Sequence, residues 1–215
     1  MIVYGSTLSP YVRKVMAVVA EKGLEAELKP AGMGRGGPEF EATSPFRKMP
    51  GFSDGDYALC DSSAIVAYLD AQYPDPNLIP TESRARGRAI WFDEFADTLV
   101  MAAGGKIFFN RFVAPKVLKQ GGDAAIADAA ERDELPPLLD YLEGVIPASG
   151  YLVEDRLTIA DIAVASPFAN LRHVGVVFNA ARHPRSLAYV EAILARPSFA
   201  PMIEAESRLV AAMSA

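Results

Sequence analysis

The order of secondary-structure signals changes at about residue 80, and this change limits the folds that the chain can adopt. Before this point, short β-type runs alternate with helical spacing, whereas after it the apolar residues follow helical spacing almost throughout. Residues 74–83 contain three prolines, which is typical of a surface linker. The chain therefore divides into an α/β part and an all-helical part, predicted as domains of residues 1–78 and 84–215.

The first part predicts the element order β-α-β, a loop, a hairpin and a final helix. Ile2-Val3-Tyr4 is a short β-type run, and a helix is predicted over residues 10–22, ended by Gly23. Asp54-Gly55 predicts a tight turn between two strands, followed by a helix over residues 62–73. This βαβ-ββα order fits a small α/β sandwich of the thioredoxin-like type.

The second part predicts helices separated by glycine and proline. Gly104-Gly105 and Gly121-Gly122 are expected to break the helical pattern, which covers residues 82–104, 106–120, 123–145, 159–172, 184–195 and 198–212. Thr158 and Asp161 have the spacing of a capping box, for which we predict a role in folding. We interpret His173 as a structural histidine and His183 as a surface loop residue.

Composition and charge exclude several classes of function. With 21 basic and 27 acidic residues the net charge is −6, and no long basic block indicates a nucleic-acid partner. Cys60 is the only cysteine and there are two histidines, so neither an intramolecular disulfide nor a metal site is expected. No apolar run approaches a membrane span, and no signal peptide is apparent. We therefore expect no membrane partner and a cytoplasmic location.

The junction between the first strand and the first helix carries the sequence Ser9-Pro10-Tyr11. Serine suits the N-cap, and proline suits the first helical position because its missing N–H has no helical partner there. A hydroxyl at the positive end of a helix can also donate to a bound thiolate, which lowers the pKa of the thiol. These residues alone favour a plain cap over a thiolate site.

Two later motifs have the chemistry of peptide binding. A cis Met49-Pro50 bond would explain a proline at the entrance to a strand, and it would leave the Met49 backbone free to pair with an extended peptide. An ordinary trans turn is an equal alternative. Asp61-Ser62 begins the third helix, where a hydroxyl and helical N–H groups suit a carboxylate and an aspartate suits an ammonium. A plain N-cap is the alternative there.

In their order and spacing, these motifs and Thr158–Asp161 together resemble the cytosolic glutathione transferase family over essentially the whole chain. The resemblance implies a thioredoxin-like glutathione-binding domain, an all-α domain that contributes the electrophile site, and a homodimer. It implies glutathione as co-substrate, with Ser9 as the residue that activates its sulfur. Lys48 would lie near the glycine carboxylate, Met49 and Pro50 would pair with the cysteinyl unit, and Asp61 and Ser62 would hold the γ-glutamyl end.

The resemblance also implies an electrophile site between the domains, for which the candidates are Tyr11, Phe108 and Phe112. We therefore predict a detoxifying transferase that adds glutathione to a small hydrophobic electrophile. A glutathione-dependent isomerase, dehalogenase, ether-cleaving lyase or peroxidase would use the same fold. A non-catalytic ligand-binding or interaction protein is a further alternative. A thioredoxin-type oxidoreductase would need a reactive cysteine near residue 9, and none is present.

Overall fold

The computed structural model describes residues 1–32 and 36–214, and its first part has the predicted thioredoxin-like order. Three helices flank four short strands in that part. In chain order the elements are β1 (Ile2–Tyr4), α1 (Pro10–Glu21), β2 (Glu27–Lys29), α2 (Gly37–Thr43), β3 (Gly51–Asp54), β4 (Tyr57–Cys60) and α3 (Ser62–Gln72). The turn between β3 and β4 contains Gly55 at φ 61°, a conformation that favours glycine.

The strands form one mixed sheet in the order β2-β1-β3-β4. β1 pairs in parallel with β2, with Val3 opposite Leu28, and it pairs antiparallel with β3, where Val3 is opposite Phe52. β3 and β4 form the antiparallel hairpin. Because Val3 and Phe52 are fully buried, the centre of the sheet is anchored in the core.

The rest of the chain is helical, as predicted. Its α-helices are α4 (Ser83–Glu94), α5 (Met101–Phe108), α6 (Ala124–Ala129), α7 (Leu135–Val145), α8 (Ile159–His173), α9 (Pro184–Leu194) and α10 (Ala200–Ser214). Stretches of π-helix follow α4, α5 and α6 at Phe95–Val100, Phe109–Val117 and Ala130–Glu134. Among the helices that the structure describes, none is both long enough and apolar enough to span a bilayer.

The predicted break at Gly104-Gly105 was wrong, because helical structure continues from Ser83 to Val117. Gly104 lies inside α5 and is buried against α8. A Cβ atom at this position would lie 3.5 Å from Leu171 Cδ2, which is an ordinary van der Waals distance. The glycine is thus accommodated inside a packed helix and does not end it.

α8 lies at the centre of the helical part, where it packs against α1, α4 and α9. The predicted capping interaction lies at its start: Asp161 Oδ2 accepts a hydrogen bond from the Thr158 N–H at 2.9 Å. Asp161 Oδ1 accepts from the Leu152 N–H and from the Tyr189 hydroxyl. Since Asp161 is fully buried, these bonds serve the folding role that the sequence predicted.

The environment predicted from sequence is correct for one of the two histidines and wrong for the other. His173 is structural as predicted, with Nε2 3.0 Å from Glu206 Oε2. The prediction that His183 is a surface loop residue was wrong, since it is only 2 % exposed. It immediately precedes α9, and its Nε2 lies 2.9 Å from Asp140 Oδ1 on α7. The packing of α9 against α7 buries the imidazole between the two helices.

Candidate functional site

A cleft of about 500 Å³ lies where the start of α3 and the loop before β3 face the π-helical stretch that follows α4. Six of the residues predicted from sequence line it: Tyr11, Lys48, Met49, Pro50, Asp61 and Ser62. The other lining residues were not predicted as site residues: Ser44, Phe46, Cys60, Ser63, Glu94, Asp97 and Thr98. Residues from four separate segments of the sequence therefore form a single cleft.

The loop before β3 is held in shape by Ser44, which is fully buried. Its hydroxyl donates to the Lys48 carbonyl at 2.6 Å and accepts from the Lys48 N–H at 3.1 Å. This places Lys48 on the exposed rim of the cleft, next to Met49. The Met49-Pro50 bond is cis, one of the two conformations that the sequence left open.

Asp61 and Ser62 lie at the N-terminal end of α3. One carboxylate oxygen of Asp61, Oδ1, accepts hydrogen bonds from the N–H groups of Ser63 and Ala64 at 3.0 and 3.1 Å. Asp61 is therefore the N-cap of this helix and remains exposed to the cleft. The buried Ser62 hydroxyl lies 3.4 Å from Asp97 Oδ2. The helix end presents both a carboxylate and a hydroxyl to a ligand.

A buried lysine, which sequence reasoning missed, supports this wall of the cleft. Lys14 Nζ lies 2.8 Å from Asp93 Oδ1 and 2.6 Å from Asp97 Oδ2, and it donates to the Ser63 hydroxyl at 3.1 Å. Burial and the charges of Asp93 and Asp61 together raise the pKa of Asp97, although Lys14 opposes the shift. Two carboxylates thus pair with a single ammonium, and the nearby charge of Asp61 adds to the excess of negative charge.

Tyr11 reaches the same region from the first turn of α1. Its hydroxyl donates to the Asp97 carbonyl at 3.2 Å. Burial, and secondarily the charges of Asp97 and Asp61, raise the pKa of Tyr11 to about 12. At neutral pH the phenol is therefore protonated and acts as a hydrogen-bond donor.

Ser9 is the N-cap residue of α1, as predicted, but its side chain makes no capping hydrogen bond. It is half-buried, and its N–H donates to the Ser6 carbonyl at 2.9 Å. The Ser9 hydroxyl therefore makes no hydrogen bond to the N–H groups at the start of α1. Ser9 does not belong to the set of described residues that line the cleft, although Tyr11, two residues further on, does.

Phe108 and Phe112 lie outside the cleft lining as well. Their rings are stacked with centroids 5.3 Å apart, and Phe112 is buried in a separate apolar cluster. Leu8 packs against this cluster, so the aromatic pair is linked to the residue that precedes Ser9. Among residues 1–32 and 36–214, no group of three or more His, Cys, Asp or Glu side chains is arranged to hold a metal ion.

Comparison with known proteins identifies the family. Residues 3–77 match the glutathione S-transferase N-terminal domain, and residues 109–206 match the glutathione S-transferase C-terminal domain. Glutathione S-transferase 3 of Zea mays is 32% identical over 211 residues, which cover 94% of this chain and 92% of that relative. The chain belongs to the glutathione S-transferase family.

Other members of the glutathione S-transferase family and related proteins are similar along nearly the whole length. The crystal structure of a glutathione S-transferase from Rhodospirillum rubrum F11 has a TM-score of 0.85 at 25% identity, and the match covers 94% of this chain and 90% of that one. A stringent starvation protein A homolog of Coxiella burnetii is 28% identical over 210 residues, covering 97% of this chain and 94% of the relative.

The sequence did not predict several residues of this family member that line the cleft or support its wall. No local sequence pattern identifies Ser44 as a site residue, because its role depends on a hydrogen bond to Lys48, four residues later. Lys14 and Asp97 are 83 residues apart in the chain. A lysine among the apolar positions of α1 is the one signal that could have suggested a buried partner.

Proposed function

We propose that this glutathione S-transferase binds glutathione in the cleft and stabilises its thiolate with the Ser9 hydroxyl for attack on a small hydrophobic electrophile. The observation that supports this most strongly is the convergence of Lys48, Met49, Asp61 and Ser62 in one cleft. The unit of residues 1–78 would bind glutathione, and residues 84–215 would contribute the electrophile site, with Tyr11, Phe108 and Phe112 as its candidate residues. No resident metal is invoked.

The charges of the cleft suit the two ends of glutathione. At the start of α3, the Ser62 hydroxyl and the helix N–H groups suit the γ-glutamyl carboxylate, while Asp61 and Asp97 suit its ammonium. The excess of carboxylate over ammonium in the Lys14 network favours a cationic ligand group at this wall. Lys48, on the rim, suits the glycine carboxylate.

The Ser9 hydroxyl can supply a useful shift in thiol pKa. A thiol with a reference pKa of about 8.5 is only a few per cent ionised at neutral pH. A decrease of about two units corresponds to about 2.7 kcal/mol and makes the thiolate the major form. One charge-assisted hydrogen bond and the positive end of α1 together can contribute about this much. Because Ser9 makes no capping bond, its hydroxyl has no competing helix partner.

Two measurements test this function in sequence. Retention on immobilised glutathione, with elution by free glutathione, would establish binding. Turnover of 1-chloro-2,4-dinitrobenzene with glutathione would then establish transferase chemistry. Failure of the purified, folded protein in both assays would overturn the proposal.

Replacement of Asp61 by asparagine should weaken glutathione binding while the helix cap survives, because an amide oxygen can still accept from the Ser63 and Ala64 N–H groups. Loss of the carboxylate charge should raise KM for glutathione about tenfold. Asp123→Asn is the matched control, since Asp123 caps α6 by accepting from the Ile126 N–H and does not line the cleft. An equal KM for both variants would contradict the assignment of Asp61.

Phe46 supports the homodimer that the family resemblance implies. It is 84 % exposed at the cleft edge, where an aromatic side chain gains free energy by burial against another surface. A second copy of the chain would provide that surface. Light scattering should give the mass of two 23.1 kDa chains for the wild type and a larger monomer fraction for Phe46→Ser. A monomeric wild type would contradict this proposal.

The pocket next to the glutathione sulfur determines the reaction subtype. The same thiolate is therefore compatible with an isomerase, dehalogenase, ether-cleaving lyase or peroxidase. A cytoplasmic, detoxifying role is part of the proposal. A non-catalytic binding protein is the second candidate, since the similarity extends to a relative that is named a stringent starvation protein A homolog and not a transferase. Folded protein that binds glutathione but turns over no member of an electrophile panel would favour that candidate.

A further inference from the structure

The backbone turn that carries Ser9 is held by two side chains of α8, in the helical part of the molecule. Asn170 Nδ2 donates to the Leu8 carbonyl at 2.7 Å, and the Ser166 hydroxyl donates to the Pro10 carbonyl at 2.8 Å. The carbonyl groups of the residues before and after Ser9 are therefore both fixed from a helix more than 150 residues away in sequence.

These two side chains are themselves held in place by Arg13. Its Nη1 donates to the backbone carbonyl of Ser166 at 2.7 Å and, at 3.4 Å, to the Ser166 hydroxyl. It also donates to Asn170 Oδ1 at 2.9 Å. Since arginine can only donate, this contact assigns the oxygen of the Asn170 amide and directs its NH2 group toward Leu8. Asn170 is 3% exposed and Ser166 1%, so water does not compete freely for these bonds.

We propose that Asn170 and Ser166 are positioning residues that set the location of the Ser9 hydroxyl from the helical domain. This inference rests on the proposed role of Ser9 as the thiolate donor. A hydroxyl stabilises a developing anion only when it is held at the correct distance and angle, and misplacement by about 1 Å can cost a large part of the rate. The bonds to the Leu8 and Pro10 carbonyls act on the backbone on both sides of that hydroxyl.

Asn170→Asp is the most selective test, because it keeps an oxygen acceptor for Arg13 but replaces the donor to Leu8 by a second oxygen. We expect kcat for 1-chloro-2,4-dinitrobenzene to fall about tenfold and the apparent thiol pKa in the pH profile to rise, with KM for glutathione within about twofold of the wild type. Ser166→Ala, which adds no charge, should cause a smaller shift in the same direction.

Ser186→Ala is the matched control for Ser166→Ala. Ser186 is also buried and donates its hydroxyl to Glu143, but its contacts lie within the helical part. Its removal should leave the pH profile unchanged while it lowers the melting temperature by a similar amount. A pH profile that Ser166→Ala and Asn170→Asp both leave unchanged would overturn the positioning role.

A double-mutant cycle with Ser9→Ala separates this inference from the proposed function. If α8 acts through Ser9, Asn170→Asp should have almost no further effect on kcat in the Ser9→Ala background. If Ser9→Ala lowers kcat and Asn170→Asp lowers it again by the full factor, Asn170 acts elsewhere and only this inference fails. If Ser9→Ala leaves kcat unchanged, the proposed role of Ser9 fails and the inference fails with it.

Discussion

Replacement of Ser9 by alanine is expected to slow the conjugation of glutathione at least tenfold at pH 7. Without the hydroxyl, the pKa of the bound thiol should return toward its reference value, and the fraction of thiolate should fall from the major form to a few per cent. The affinity for glutathione should largely survive, because the cleft residues from Lys48 to Ser62 are unchanged. The rate should recover as the pH is raised, since hydroxide then ionises the thiol without help.

The pH dependence of kcat and the KM for glutathione together measure this effect. Ser6→Ala is a suitable control, because Ser6 pairs with Ser9 through its backbone carbonyl, which the substitution retains. The substitution removes only the long, 3.4 Å contact from the Leu8 N–H to the Ser6 hydroxyl. We expect the control to keep the wild-type pH profile. An unchanged rate for Ser9→Ala, or an equal loss for Ser6→Ala, would remove Ser9 from its proposed role.

Replacement of Glu206 by alanine is expected to lower the free energy of unfolding by about 3–5 kcal/mol, because it leaves the Arg13 guanidinium buried and uncompensated. The pair is 2.7 Å apart with side chains 0% and 2% exposed. Glu206 also accepts from His173. The change should be measured by chemical denaturation, with the enzyme otherwise unmodified.

Glu204→Ala on the same helix provides the control for this prediction. Glu204 also pairs with an arginine, Arg208 at 2.6 Å, but both side chains are about 70% exposed. Its loss should change the free energy of unfolding by less than about 0.5 kcal/mol. Equal losses for the two variants would contradict the importance of the buried pair.

Acid should reduce the difference between wild type and Glu206→Ala. Burial alone would raise the pKa of Glu206, but the hydrogen bonds and charges of His173 and Arg13 lower it below its ordinary value of 4.5. A carboxyl with a lowered folded-state pKa stabilises the protein above the unfolded-state pKa, and this contribution is lost as the pH falls through the folded-state value. The stability gap should therefore be complete at neutral pH and should narrow below about pH 4.5.

Much of the architecture was predictable because local signals agree with tertiary structure. Asp54-Gly55 and the β-type runs predicted the hairpin and strands, and the helical spacing predicted the second part. The prediction failed at Gly104, which lies inside a helix that is stabilised by packing against α8. It also failed at His183, whose burial depends on α7, about 40 residues earlier. Intrinsic helix propensity cannot predict either contact, because each one depends on a second helix.

The cleft was predictable for residues that act through their own local motif. Asp61-Ser62 lies at a helix start and Met49-Pro50 enters a strand, and both reach the cleft. Residues such as Lys14, which were not predicted, contact partners that are distant in the sequence. Hydrophobic periodicity placed α1 correctly, yet it gave no reason for the burial of Arg13 and Lys14, whose partners lie on other helices. The burial of a charged side chain can be explained only when its counter-ion is known.

The pairing of Arg13 with Glu206 has a consequence for how the protein is made. The two residues are 193 positions apart, so the Arg13 guanidinium in α1 is neutralised only after α10 has been synthesised. During synthesis the thioredoxin-like part emerges first and can form its sheet, but its first helix still carries an unmatched charge on the face that will be buried. Formation of α10 thus completes the ion pair of Arg13, which in turn holds Asn170 and Ser166 behind the turn of Ser9, and a variant that lacks α10 should be unable to conjugate glutathione.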